Sequence, residues 1–309
     1  MTDRTPAQRL HGVHAATVCP MRADYAIDEE ALARHVAHVA AQGGIAGLLI
    51  NGHAGENALL TRTETRRVTQ IVREAVGYSV FLTSGVNAEC SLHAAALARD
   101  AEDAGADAVL VFPPNGWALF QDADTAALHH RFVRDACGLP IVLYQAPVRA
   151  GAMPYPPARL AALASDPRVV AVKEGSWEVA AYEASRRAVR AVRPDVAMLG
   201  SGDEHLLASW MVGADGSQVS LAAIVPELVT ALWDAAQAGE WAFARRLHDR
   251  VYPLALAIYG TAPGGRATTR LKACLHILGR LQDPTVRPPL LPLPAEEIAR
   301  LTEALGAAC

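Results

Sequence analysis

Short apolar segments alternate with helix-forming segments over residues 1–225, and this alternation restricts the possible fold more than any other feature of the sequence. Gly, Pro and Asp residues lie at the ends of these segments. The segments predict eight strands, at residues 12–18, 45–50, 79–84, 108–112, 140–144, 169–173, 196–199 and 216–221. Runs that are apolar on both faces are typical of parallel strands covered by helices. Eight strand–helix units predict an α/β fold, a (β/α)8 TIM barrel.

Helix-capping patterns between the strands support this interpretation. Asp28 is a good N-cap for a helix that starts at Glu29, and Thr61 with Glu64 has the spacing of a capping box. An open, doubly wound sheet is the alternative fold. Its usual Gly-x-Gly-x-x-Gly turn does not follow the first predicted strand, so the closed barrel is favoured.

The pattern changes at Pro226, after which only helices are predicted. The helical segments are 227–238, 241–259, 268–281 and 295–305. Since no further strand follows, these helices are not expected to build a second sheet. We predict two parts, a barrel with the active site at residues 1–225 and a C-terminal helical region at residues 226–309 that packs on it.

Composition excludes several classes of protein. The formal net charge is −4 and basic residues form no run, so nucleic acid is not expected as a partner. No apolar stretch reaches the roughly 20 residues of a membrane span, and the polar start at residues 1–9 does not resemble a secretory signal. The five cysteines are scattered and lack Cys-x-x-Cys spacing, which disfavours a disulfide framework or a zinc site. We predict a cytoplasmic protein with no membrane contact.

No cluster of residues suggests a metal site. Two histidine pairs lie on predicted helices at spacings that suit solvated faces, His35 with His38 and His129 with His130. Asp203 and Glu204 are expected to cap the start of a helix, the ordinary role of acidic residues there. Chemistry that depends on a metal is therefore less favoured than chemistry carried by a lysine.

Lys173 ends the sixth predicted strand, after four apolar residues and just before Gly175. In one interpretation its ammonium reaches water or pairs with Glu174. In the other, partial burial lowers its pKa, and the free amine can attack a carbonyl carbon. Active sites of such barrels lie at the carboxyl ends of the strands, where Tyr144 ends the neighbouring strand. Adjacent strands are about 4.8 Å apart, and a phenol beside an amine suits proton transfer during imine formation.

Two other segments at this end of the barrel have two interpretations each. Gly52 and Gly55 flank a tight turn whose backbone N–H groups could face a carboxylate, or they could be needed only for a positive φ angle. Arg149, in the loop after Tyr144, could hold a substrate carboxylate or form a surface ion pair. The residues alone leave these alternatives open.

Several motifs resemble, in the same order, those of the dihydrodipicolinate synthase/N-acetylneuraminate lyase family of Schiff-base-forming class I aldolases. The segment 52–56, Gly-His-Ala-Gly-Glu, is similar to the family's Gly-[Thr/Ser]-Thr-Gly-Glu, and 144–151 resembles Tyr-Asn-Val-Pro-x-Arg-Thr-Gly. Val172, Lys173 and Glu174 resemble the strand with the Schiff-base lysine. Later similarities lie at 201–203, 213–216 and 271–274. The resemblance covers nearly the whole chain.

The resemblance implies a lyase without a cofactor. Lys173 would form an imine with pyruvate or another 2-oxo acid, and the enamine would add to an aldehyde, with carbon–carbon cleavage or dehydration as related reactions. Tyr144 would relay protons, and Arg149 would hold a carboxylate of the second substrate. The oxo-acid carboxylate would bind at the turn formed by Gly52, Ala54 and Gly55. A homo-oligomer, a dimer or tetramer, is also implied, with contacts near residues 115–120.

Some positions depart from the family pattern. His53 and Ala54 replace two threonines, Asn115 lies in the stretch where the synthase has a relay tyrosine, and Gln218 replaces an isoleucine near the substrate. We hypothesise that His53 is an acid/base group or binds a different acceptor, with Asn115 and Gln218 near the substrate. A histidine that only fills the turn is the alternative. The sequence does not select the aldehyde. It also leaves open a barrel that binds a 2-oxo acid as a sensor, with weak or no catalysis.

Overall fold

The computed structural model describes residues 4–309, and within them eight parallel strands form a closed barrel. The strands pair in sequence order, and the last strand pairs with the first to close the ring. Their bounds are β1 Gly12–Ala16, β2 Ile45–Ile50, β3 Phe81–Val86, β4 Ala108–Val111, β5 Ile141–Gln145, β6 Val169–Glu174, β7 Ala197–Gly200 and β8 Gly216–Val219. The predicted (β/α)8 barrel is confirmed.

Helices surround the strands and continue beyond the last one. Within the described residues they are α1 Pro6–Arg9, α2 Glu29–Ala40, α3 Arg62–Val76, α4 Ser91–Asp103, α5 Ala123–Ala136, α6 Pro157–Ala164, α7 Val179–Val192, α8 Leu206–Met211, α9 Leu221–Ile224, α10 Pro226–Gln237, α11 Trp241–Ala255, α12 Ala267–Ile277 and α13 Ala295–Ala308. Asp28 accepts a hydrogen bond from the N–H of Ala31 at 2.9 Å, and Thr61 with Glu64 forms the predicted capping box. The capping residues therefore start α2 and α3 where the sequence predicts.

The alternation of side chains along β6 decides which residues face the barrel interior. Ala171 belongs to the apolar cluster inside the barrel, whereas Val172 packs in the outer layer between strands and helices. Because successive strand residues face opposite sides, the next residue, Lys173, faces inward. Its register partner on β5 is Tyr144, which belongs to the inner cluster as well. Both side chains therefore meet at the carboxyl end of the barrel.

The C-terminal helices pack on the barrel, but one predicted helix is interrupted. Helix α10 packs against β1 and α8. The predicted helix at 241–259 ends as α11 at Ala255, and a π-helical turn, Leu256–Gly260, follows. Pro253 lacks an N–H group and removes one regular helical hydrogen bond near this end. The division of the chain after residue 225 stays a prediction.

The histidines predicted on solvated helix faces are mostly buried, so that expectation was wrong. His35 on α2 and both His129 and His130 on α5 are buried, and desolvation lowers the pKa of each. His129 shares a hydrogen bond with Ser91 Oγ, and His130 shares one with Tyr155 Oη, both at 3.1 Å. The spacing of histidines along a helix does not reveal which of its faces packs inward.

The polar start predicted at residues 1–9 is described only from Arg4 onward, and residues 1–3 lie outside the described residues. Thr5 caps the short helix α1, whose first residue is a proline. From Arg4 to the C-terminus, the structure contains no helix with both the length and the apolar character needed to cross a membrane.

Candidate active site

A small cavity of about 100 Å³ opens at the carboxyl ends of the strands. Predicted site residues that line it are Gly52, His53, Ala54, Tyr144, Lys173 and Gln218. The lining also includes Ser201, Asp203 and Ser220, which lie at the carboxyl ends of the seventh and eighth strands, and Trp177, Tyr259 and Thr268, which were not predicted for the site. The barrel thus brings together side chains that are more than 200 positions apart in the sequence.

A larger cleft of about 1000 Å³ lies at the opposite end of the barrel, where α1 meets the amino ends of β6 and β7. Its Arg190 is paired with Asp215 at 2.8 Å, and its Arg193 with Asp195 at 2.7 Å. Catalytic residues of such barrels lie at the carboxyl face rather than at this one. The smaller cavity is therefore the better candidate for the active site.

Lys173 and Tyr144 are direct neighbours across the β5–β6 pair, as predicted. The Nζ atom of Lys173 lies 5.8 Å from the centre of the Tyr144 ring. Burial lowers the pKa of Lys173 to about 8, although the nearby Asp203 carboxylate opposes this shift by favouring the ammonium. Burial also raises the pKa of Tyr144, so its phenol stays protonated at neutral pH. A partly deprotonated amine beside a protonated phenol can attack a carbonyl group and pass protons.

Glu174 does not pair with Lys173, because it faces the outer side of the barrel wall. Its carboxylate accepts hydrogen bonds from Ser176 Oγ at 2.8 Å and from Ser185 Oγ at 3.2 Å. Burial raises the pKa of Glu174 to about 7. This carboxyl group holds the start of the β6–α7 loop, and the amine of Lys173 is left for the cavity.

His53 packs against aromatic rings at the mouth of the cavity. Its ring centre lies 4.5 Å from that of Phe112 and 5.6 Å from that of Tyr144. His53 is an exposed residue, and desolvation of its imidazole, together with the charge of Lys173, lowers its pKa below the ordinary value. A neutral imidazole here can donate or accept a hydrogen bond. Its role as an acid/base group stays a prediction.

The turn after β2 is a short 3₁₀ helix, His53–Gly55, and its glycines do not have positive φ angles. Positive values occur instead at the flanking residues, Asn51 with φ 52° and Glu56 with φ 59°. The N–H of Gly55 donates to the carbonyl of Gly52 at 3.0 Å. Among the described residues, no acceptor is found for the N–H groups of His53 and Ala54. These two groups, rather than that of Gly55, are free to bind a carboxylate.

A buried ion pair connects this turn to the C-terminal helices. Lys272 on α12 pairs with Glu56, and both side chains are fully buried. The N–H of Arg287 donates to the other oxygen of the Glu56 carboxylate at 2.9 Å. Thr268 on α12 donates to the carbonyl of His53 at 3.0 Å. The sequence motifs at 52–56 and 271–274 are therefore joined in space, and α12 fixes the turn.

Arg149, Asn115 and Gly55 are the predicted site residues that the cavity lining does not include. Arg149 is exposed in the loop after β5. Asn115 is exposed, and its N–H donates to Glu89 Oε1 at 2.8 Å. Close to Asn115, Leu119 and Phe120 expose 91% and 67% of their surface, where the homo-oligomer contact is predicted. Their roles in binding, and the oligomeric state, stay predictions.

Gln218 lies on β8 and lines the cavity together with Lys173. Its Nε2 donates to Thr83 Oγ1 at 3.3 Å, while its buried Oε1 has no hydrogen-bond partner among the described residues. A buried carbonyl oxygen without a partner carries a cost of about 1–3 kcal/mol. A bound substrate that donates a hydrogen bond would remove that cost.

Asp203 lines the cavity, and its side chain makes no capping hydrogen bond to the helical turn that it starts. The residue before it, Gly202, has φ 99° and starts the 3₁₀ helix Asp203–His205. The buried Asp203 carboxylate accepts a hydrogen bond from the N–H of Leu221 at 2.7 Å, and burial raises its pKa to about 7. In the sequence, only Gly202, which precedes Asp203 and Glu204, indicates this unusual turn.

Comparisons with known proteins give one consistent result. The pattern of the Dihydrodipicolinate synthetase family matches residues 9–308. The 4-hydroxy-tetrahydrodipicolinate synthase 1 of Streptomyces coelicolor is 36% identical over 291 residues, which cover 94% of this chain and 92% of that protein. The synthase of Kineococcus radiotolerans is 32% identical over 312 residues, covering 99% and 96%. The crystal structure of dihydrodipicolinate synthase from Agrobacterium tumefaciens is similar with a TM-score of 0.86 and 27% identity, and the match covers 98% and 99% of the two chains.

Proposed function

Because this chain belongs to the dihydrodipicolinate synthetase family, we propose that it is a class I lyase that binds pyruvate or another 2-oxo acid as an imine on Lys173. One observation carries the proposal. The desolvated amine of Lys173, with a pKa of about 8, lies in the cavity next to the phenol of Tyr144. An amine that is partly unprotonated at neutral pH can act as a nucleophile.

The proposed reaction begins when Nζ of Lys173 attacks the ketone carbon of the oxo acid. The carbinolamine loses water, and a carbon–nitrogen double bond forms. The iminium withdraws electrons, so a proton leaves the adjacent carbon and an enamine results. The enamine carbon then attacks an aldehyde carbon, whose oxygen gains a proton. Water adds to the new iminium and releases the 4-hydroxy-2-oxo acid with the free amine.

The carboxylate of the oxo acid would lie at the turn after β2. The free N–H groups of His53 and Ala54 would donate to its oxygens, and Thr268 would keep the turn in place through the His53 carbonyl. This arrangement directs the ketone carbon toward Lys173, which lines the same cavity. It supports the predicted role of Ala54, while the N–H of Gly55 is used within the turn and the carbonyl of Gly52 accepts it.

The proposal is tested by reductive trapping. The protein is incubated with pyruvate and sodium cyanoborohydride, digested, and the modified residue is found by mass spectrometry. We expect a stable adduct on Lys173. Turnover of pyruvate with a panel of aldehydes then separates a lyase from a barrel that binds an oxo acid as a sensor without reacting further. A protein that forms no adduct with any 2-oxo acid would contradict the proposal.

The pH dependence of trapping follows from the lowered pKa of Lys173. At pH 7 about one tenth of an amine with a pKa of about 8 is unprotonated, compared with less than one in a thousand for an ordinary lysine. The rate of imine formation should therefore rise with pH through about 8 and level off above it. It is measured by mass spectrometry at a cyanoborohydride concentration high enough that imine formation limits the rate.

Asp203→Asn provides the control for this pH profile. The carboxylate favours the ammonium form of Lys173, so its removal should move the midpoint to lower pH. Asparagine can still accept the hydrogen bond from the N–H of Leu221. A midpoint near the ordinary lysine value in the parent protein would mean that the amine is not desolvated.

Tyr144→Phe tests the proposed proton relay. The substitution removes only the hydroxyl, and the loss of a general acid or base lowers kcat by about 10²–10⁴-fold. We expect this decrease in kcat for aldol turnover, while the adduct on Lys173 still forms. Tyr252→Phe, on the exposed face of α11, is the control and should leave kcat unchanged. Equal kcat values for the Tyr144→Phe variant and the parent would exclude the phenol from the relay.

The aldehyde is not decided by the family. His53 and Ala54 occupy the turn where the resemblance implies two hydroxyl groups, and a ring of Phe112 lies 4.7 Å from that of Tyr144. Within the described residues, no side chain forms a hydrogen bond with the hydroxyl of Tyr144. The two threonines and the relay tyrosine of the family pattern are thus replaced at positions 53, 54 and 115, and no described side chain takes their place beside the Tyr144 hydroxyl. The acceptor must be inferred from the remaining walls of the cavity.

A further inference from the structure

Trp177 forms one wall of the cavity, and its backbone has an unusual conformation. It lies in the loop after β6, four residues beyond Lys173, and is half-buried. Its φ angle is 61°, in the left-handed region that bulky residues rarely adopt. The preceding residue, Ser176, is held by hydrogen bonds of its N–H and Oγ to the Glu174 carboxylate, at 3.2 and 2.8 Å. The loop therefore accepts a strained residue and keeps its indole at the cavity.

The indole of Trp177 is supported by two neighbours. It packs edge-to-face against Tyr259, with ring centres 5.4 Å apart and an angle of 86° between the planes. The π-helical turn Leu256–Gly260 brings Tyr259 to this position. A Cβ atom at Gly202 would lie 3.4 Å from Trp177 Cδ1, so the indole rests directly on the backbone of the β7 loop. Its orientation is fixed by packing on both sides.

A second group of rings lies across the mouth of the barrel. In a ring of eight strands, β2 and β6 are opposite each other. His53 follows β2, and its ring packs on Phe112 with 4.5 Å between centres. Trp177 follows β6. A flat molecule that enters from above would therefore have an aromatic ring on each side before it reaches Lys173.

Polar groups of the lining are largely used within the protein. Ser201 Oγ donates to the carbonyl of Glu174 at 3.1 Å, and Thr268 Oγ1 donates to the carbonyl of His53 at 3.0 Å. The carboxylate of Asp203 already accepts the N–H of Leu221. Apart from the Tyr144 hydroxyl, Gln218 Oε1 and the His53 imidazole, few polar groups thus remain for the hydroxyl groups of a sugar-like aldehyde, whereas ring faces are available. This combination favours a planar conjugated acceptor over a polyhydroxylated one.

We propose that Trp177 is a specificity-determining residue, whose indole stacks on the ring of an aryl aldehyde that the pyruvate enamine attacks. The inference rests on the function proposed above, because it concerns the second substrate of the same cavity. Stacking of aromatic rings contributes selectivity beyond the burial of apolar area, on a scale of up to about 10-fold. The aldehyde carbon of such a substrate would face Lys173, and its ring would lie between Trp177 and His53.

The test compares benzaldehyde with acetaldehyde as acceptors for pyruvate, and the readout is the ratio of their kcat/KM values. Trp177→Gly should lower this ratio about 10-fold, and Trp177→Phe, which retains a ring, should restore most of it. Glycine adopts a φ of 61° without strain, so the Trp177→Gly variant should fold. Trp241→Phe, on α11 outside the cavity lining, is the matched control and should leave the ratio unchanged.

Trapping with pyruvate separates this inference from the proposed function. All variants should form the adduct on Lys173 at the parent rate, because Trp177 is assigned to the second substrate. An unchanged ratio in Trp177→Gly with normal trapping overturns the inference and leaves the imine chemistry intact. A parent protein that fails to trap pyruvate overturns both. If turnover is too slow to measure, calorimetry gives the affinities of the two aldehydes for the reduced, pyruvate-loaded enzyme, and the ratio of these affinities replaces the ratio of kcat/KM values. The inference is overturned if Trp177→Gly changes both affinities by the same factor.

Discussion

Lys173→Met is expected to abolish imine formation with pyruvate and to lower turnover by roughly 10⁴–10⁶-fold, the scale seen when an enzyme loses its covalent nucleophile. Methionine has nearly the length of the lysine stem but no amine. The parent amine has no carboxylate within ion-pair distance among the described residues, and burial lowers its pKa. Removing the amine of Lys173 should leave the free energy of unfolding unchanged or slightly higher. Reductive trapping and the rate of pyruvate consumption measure the effect.

The composition of the chain makes this experiment unusually clear. Of the 28 basic residues, only Lys173 and Lys272 are lysines. Lys272 is fully buried, pairs with Glu56 and donates to the carbonyl of Thr285 at 2.7 Å, so it is not available to a ketone. Among the side chains, an adduct in the parent protein should therefore map to Lys173 alone, and any adduct on an α-amino group is counted separately because that amine reacts without catalysis. A side-chain adduct that persists in the Lys173→Met variant would place the nucleophile elsewhere and end the proposal.

The site could be predicted from the sequence where it depends on strands. Apolar runs locate each strand, and a parallel barrel puts all their carboxyl ends on one face. The adjacency of Tyr144 and Lys173 follows from this, because each ends its strand and the two strands are consecutive. The register of the β5–β6 pair in the structure places them as direct partners.

The sequence is less informative where the site depends on loops. Trp177 reaches the cavity only because its backbone has a positive φ, and no propensity predicts that for tryptophan. Tyr259 arrives through a π-helical turn inside a segment whose pattern predicts a regular helix. Asp203 was assigned to a helix start, but a tertiary contact with Leu221 buries it. In the first two cases the decisive feature is a local backbone conformation, and in the third it is a contact between distant segments.

The second large effect is expected for Lys272→Met, which should lower the free energy of unfolding by about 3–5 kcal/mol. Lys272 and Glu56 are both fully buried, so removing the ammonium leaves a carboxylate in a dry environment. The remaining donor to Glu56, the N–H of Arg287, cannot replace that charge. Glu56 has a φ of 59° and ends the turn that carries His53, so the same variant should loosen the site. Urea unfolding followed by circular dichroism measures the change.

Two further variants show whether charge is the cause. Arg67→Ala breaks an exposed ion pair in which Arg67 Nη2 lies 2.6 Å from Glu29 Oε2. This substitution should lower the free energy of unfolding by less than about 1 kcal/mol because water screens the pair. Glu56→Gln combined with Lys272→Met leaves no unpaired buried charge, so the double variant should be more stable than Lys272→Met alone. If Lys272→Met lowers the free energy of unfolding no more than Arg67→Ala does, the buried ion pair between Lys272 and Glu56 does not stabilise the turn. A double variant less stable than the single one would show instead that the loss comes from packing, since the charge has then been removed from both partners.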